Sequence, residues 1–153
     1  MRGNWGKQAG LWMIILAGLL LPLPATAVQT LQIVLEDSGT IYWETPIPDN
    51  GSFILRHCNS IYEAWVEERF QTDSLGRIRL TAVKTQSPAV LEYYGLETVS
   101  TGWIPISRSL ERLSLLVSSR GRVSLFFDQQ QIPLSAVLPD GTRTEVRVVP
   151  ANK

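Results

Sequence analysis

A chain of 153 residues with 14 lysines and arginines against 14 aspartates and glutamates carries no formal net charge at pH 7. That balance, with the arginines scattered singly, excludes the basic stripe on which nucleic-acid binding depends. One cysteine and one histidine also exclude an internal disulfide and a structural zinc site, which takes four Cys or His ligands.

Arg2 and Lys7 precede an apolar run from Ala9 to Leu21, and "PLPATA" then ends at Ala25-Thr26-Ala27. A basic start, an apolar core and an A-x-A site make up a secretory signal peptide. The run falls short of the roughly 20 residues that a transmembrane helix needs. The expected organisation is therefore a signal peptide over 1–27 and a single β-domain over 28–153, exported and periplasmic. Membrane contact is then confined to the signal segment, if it is retained.

From Gln29 the sequence reads as short alternating runs broken by turn residues, the period-two pattern of half-buried strands. "QTLQIVLE" sets Leu31, Ile33 and Leu35 on one face, "DSG" turns the chain, and "TIYWETP" follows. "PDNG" leads into "SFILRHC", then "SIYEAWVEERF", a turn at "TDSLG", and "RIRLTAVKT" with Ile78, Leu80 and Ala82 on one side. Connections this short imply antiparallel pairing, because parallel strands need a long crossover. In "SPAVLEYYG", Ser87 suits a helix cap, Pro88 the first helical position and Gly95 the left-handed residue after a helix end. Strands resume at "TGWIPI", "LERLSLLVS" and "RVSLFFD", "IPLSAVL" stays ambiguous, and "TRTEVRVV" closes the chain. About eight or nine strands, with at most one short helix, predict an all-β antiparallel sandwich or open barrel.

The stretch "RHCNSIYEAWVEERF", Arg56 to Phe70, concentrates the chemistry-bearing residues. A catalytic zinc needs three protein ligands, and His57 with Cys58 would have to recruit distant carboxylates. A nucleophile and its base must lie within about 3 Å. In a continuous strand His57 faces away from both Cys58 and Ser60, because successive side chains alternate. Cys58 by itself is expected to pack as a small hydrophobe, and Glu67-Glu68 to form a solvated, edge-protecting face. Tyr62 and Trp65 fall on opposite faces, so that one suits the core and the other a binding surface. Asn59 and Ser60 read as a polar corner between two strand segments.

"NSIYEAWVEERF" resembles the family called domain of unknown function 1850, small exported proteins often encoded beside TAXI-type TRAP transporters. Laid on the family's strand motif, Ser60 matches its serine, Ile61 and Val66 its valines and Glu68 its glutamate. Asn59 stands where the motif has histidine, and His57 where an aromatic residue is common. The downstream glycine-rich segment falls near "SPAVLEYYG", which has proline and valine in place of the glycines.

With a signal peptide, one β-domain and no complete catalytic constellation, the expectation is a non-catalytic accessory domain without a cofactor; the resemblance implies a transporter permease or solute-binding protein as its partner. Its expected binding residues are His57, Asn59, Ser60, Tyr62, Trp65 and Glu68. Two other readings stay open. One is a small-ligand carrier whose interior is lined by Trp43, Tyr62, Trp65 or Trp103. The other is an enzyme using Ser60, Glu68 and His57 brought together by folding.

Overall fold

In the computed structural model, which describes residues 28–97 and 100–150, the alternating runs are strands. The expected signal peptide lies outside the described residues. The chain runs through β1 (Val28–Leu35), β2 (Ile41–Pro48), β3 (Ser52–Asn59), β4 (Ala64–Thr72) and β5 (Ile78–Thr85). It continues through α1 (Pro88–Tyr93), β6 (Ile104–Leu110), β7 (Leu113–Leu116), β8 (Ser124–Phe127), β9 (Gln130–Ile132), α2 (Leu134–Val137) and β10 (Arg143–Val149). The strands form two antiparallel sheets, ordered β2-β1-β10-β7 and β6-β5-β4-β3-β8-β9. They are packed as a sandwich, and the sheets do not close into a barrel.

Burial of the alternate apolar residues drives this arrangement. Leu31 and Ile33 of β1 and Val146 of β10 meet Phe53, Leu55, Val66, Phe70 and Leu125 of the larger sheet in one buried cluster. The rings of Phe53 and Phe70 stack across the β3–β4 pair at 5.2 Å between centroids. Each such side chain contributes roughly 1.5–3 kcal/mol by leaving water. The first and last strands pair, Leu31 opposite Val148 and Ile33 opposite Val146, so both ends of the described chain are tied into one sheet.

The chain passes from the small sheet to the large one at Pro48–Gly51. There the Gly51 amide donates to the Pro48 carbonyl at 2.8 Å. A Cβ at Gly51 would strike the Ile47 side chain and lie 2.8 Å from that carbonyl oxygen. Glycine is thus required by the closeness of the passing chain.

Several local readings change. Ten strands replace eight or nine, because "FDQQ" folds back at Asp128, a positive-φ position held by a non-glycine residue, and adds β9. Part of the ambiguous "IPLSAVL" becomes α2, a second short helix. "LERLSLLVS" is divided: Leu110 ends β6 in the large sheet, while Leu113 begins β7 in the small one. Residues 60–63 form a turn, so the strand expected from Ser60 starts at Ala64. The β5 register slips between Leu80 and Ala82, and Val83, opposite Glu68, becomes fully buried beyond the irregularity. The α1 expectation agrees with the structure: the Val90 amide donates to Ser87 Oγ, Pro88 opens the helix and Gly95 has positive φ. Among the described residues no helix is long and apolar enough to cross a membrane.

Candidate functional site

On the core side of β3, Phe53 and Leu55 are followed by His57, and on β4 Val66 and Phe70 flank Glu68. Leu55 lies opposite Glu68 and His57 opposite Val66, which makes His57 and Glu68 diagonal neighbours. Long side chains at that spacing can meet. His57 Nε2 is 3.5 Å from Glu68 Oε2, and the two side chains are only 24% and 14% exposed. This contact becomes an ion pair only when the imidazole is protonated.

α1 supplies the third member. Val90 and Leu91 are buried and seat the helix, and Tyr94 at its C-cap donates its hydroxyl to Glu68 Oε1 at 2.7 Å. Both oxygens of Glu68 therefore face a partner. Burial, followed by the adjacent Glu68 carboxylate, pushes the Tyr94 phenol well above the ordinary tyrosine range. In this contact Tyr94 is the hydrogen-bond donor and Glu68 the acceptor.

These three residues stand in a cleft of about 400 Å³ between the sheets. Its apolar wall includes Leu55, Phe70, Leu80, Leu110, Leu113 and Val123, and Tyr93 lies beside Tyr94. Two guanidiniums reach the same space. Arg112 is held by Glu36 at 2.9 Å, with Glu145 at 3.7 Å. Among the described residues Arg108 makes a single long hydrogen bond, 3.5 Å to the Tyr94 carbonyl.

The remaining expected residues lie elsewhere. Asn59 Oδ1 accepts the amides of Ile61 at 3.0 Å and Tyr62 at 3.2 Å, which makes it the organiser of the β3–β4 turn. Ser60 and Tyr62 are exposed in that turn, and neither lines the cleft. Trp65 is 40% exposed, with the guanidiniums of Arg56 and Arg122 at 4.4 and 5.7 Å from its ring centre. Glu67 pairs with Lys84 at 3.3 Å and Arg56 at 3.9 Å. Trp103 lies under Arg69 at 4.1 Å, and Trp43 packs partly buried against the core.

None of Trp43, Tyr62, Trp65 and Trp103 lines this cleft, whereas Tyr93 and Tyr94 do; Trp65 lines a separate pocket of about 500 Å³ with Arg56, Glu67 and Lys84, and Trp43 another of about 500 Å³ with Tyr42. The enzymatic trio is divided as well, with His57 and Glu68 in the cleft and Ser60 in the exposed corner. Among the described residues no three or more His, Cys, Asp or Glu side chains gather as a metal site.

Sequence reasoning missed Tyr94, Arg108 and Arg112. Gly95 after "EYY" marks the helix end that carries Tyr94, but nothing local ties that end to Glu68, 26 positions earlier. Comparison with protein-family models, with curated proteins and with solved structures returned no match.

Proposed function

We propose that this is an exported, non-catalytic β-domain that holds a small molecule between its sheets and serves a solute-uptake system as an accessory module. One observation carries this reading: His57, Glu68 and Tyr94 converge, with Arg108 and Arg112, at a cleft of about 400 Å³ that also has an apolar wall. Small-molecule sites are concave, mostly apolar and of about 300–1,000 Å³, with a few placed polar groups that fix orientation.

The link to uptake rests on the resemblance around Ser60 and Glu68. Glu68, which matches the family's glutamate, is also the residue around which the polar set is built. Ser60, the hydroxyl that an enzymatic reading needs, lines no part of the cleft. That separation favours binding over catalysis.

Titration of the purified protein with anilinonaphthalene sulfonate, whose fluorescence rises in apolar sites, tests the reading. Saturable binding is expected, and filling the cleft by Leu115→Trp, at a β7 residue that lines it, should abolish binding while Trp65→Ala on the outer face leaves it unchanged. Absence of binding, or loss with Trp65→Ala alone, would overturn the proposal.

A further inference from the structure

Resting on the cleft reading above, we infer that the ligand is an amphipathic organic anion whose carboxylate or comparable acid group is received by Arg108 while its apolar body lies along the leucine-rich wall. The argument follows from which charges at the cleft are already answered. Glu68 has Tyr94 on one oxygen and His57 beside the other, so it has little left to offer an incoming cation. Arg112 is neutralised by Glu36 and Glu145.

Arg108 differs. It projects from β6 into the same space, has no carboxylate partner among the described residues, and makes only the long bond to the Tyr94 carbonyl. Four of its five N–H donors have no hydrogen-bond acceptor among the described residues. A guanidinium presents a planar fork that matches a carboxylate with two parallel hydrogen bonds. Arg108 is exposed, so it reaches the cleft from its mouth. The wall of Leu55, Phe70, Leu80, Leu110, Leu113 and Val123 gives an aliphatic body an apolar surface to lie along, while Tyr93, Arg112 and Ser114 complete the polar side of the same cleft.

Three probes with the same tail and different heads separate the possibilities: decanoate, decanol and decylamine, measured by displacement of anilinonaphthalene sulfonate and by calorimetry. Decanoate is expected to bind at least tenfold more tightly than decanol. Arg108→Gln should erase that preference while leaving decanol affinity unchanged, and Arg108→Lys should restore part of it. Because Arg108 is exposed and lies outside the buried core, both variants are expected to fold. Equal binding of decanoate and decanol would overturn the inference and leave the cleft reading standing. A preference for decylamine would overturn it in favour of Glu68 as the head-group partner. If none of the probes binds, the cleft reading fails with it. A decanoate preference that survives Arg108→Gln would also overturn the role given to that residue.

Discussion

Glu68 is buried to 14% exposure and faces two partners, so its removal leaves polar groups of Tyr94 and His57 without an answer. A hydrogen bond to a charged group contributes about 1.5–3 kcal/mol. Glu68→Ala and Tyr94→Phe should each destabilise the fold by roughly 1–3 kcal/mol on that basis. A double-mutant cycle in denaturant should then return a coupling of at least about 0.5 kcal/mol, as contacting residues do. The raised Tyr94 pKa also fixes a pH dependence. Below about pH 10, where the phenol of the unfolded chain is protonated, its contribution to stability is fully present. As the pH rises beyond that value the unfolded chain ionises while native Tyr94 resists, and stability falls toward the native pKa. Tyr94→Phe should therefore lessen the alkaline loss of stability. In the native state, phenolate absorbance should be the same for wild type and variant.

At the scale of elements, the Pro48–Gly51 crossing leads the chain into β3, and the β3–β4 hairpin sets His57 and Glu68 side by side. Asn59→Ala removes an acceptor shared by two backbone amides and should cost about 1 kcal/mol, as the loss of a comparable cap does. Ser60→Ala, in the exposed turn, should fall within about 0.5 kcal/mol of neutral. Gly51→Ala forces a Cβ against Ile47 and the Pro48 carbonyl and should destabilise by about 1–3 kcal/mol, as overpacking does. Thermal or urea unfolding of the three variants checks the order. Much at this scale was legible: alternation located most strands, and Ser87, Pro88 and Gly95 marked α1. The β8–β9 hairpin was not, because its turn uses Asp128 at positive φ where glycine would have signalled it. The corner at Asn59 and Ser60 was legible but its length was not, because β-propensity continues through Ile61 and Tyr62 while the asparagine side chain holds both amides in the turn.

For the whole molecule, the pairing of β1 with β10 holds the smaller sheet together across almost the full described chain. Period-two patterning identifies strands without saying which strand pairs with which. The sandwich was therefore legible as a class, and its topology was not. The candidate site shares that limit: His57 and Glu68 were visible in one stretch, but Tyr94, Arg108 and Arg112 arrive only when α1, β6 and the β6–β7 passage fold over them. The central claim, that the space between the sheets receives a small molecule, is tested most directly by mapping amide chemical shifts of the protein as decanoate is added. The account predicts saturable shifts at His57, Glu68, Phe70, Tyr94, Arg108 and residues 113–116. Shifts clustered instead around Trp65 and the Asn59 turn, or none at all, would contradict it.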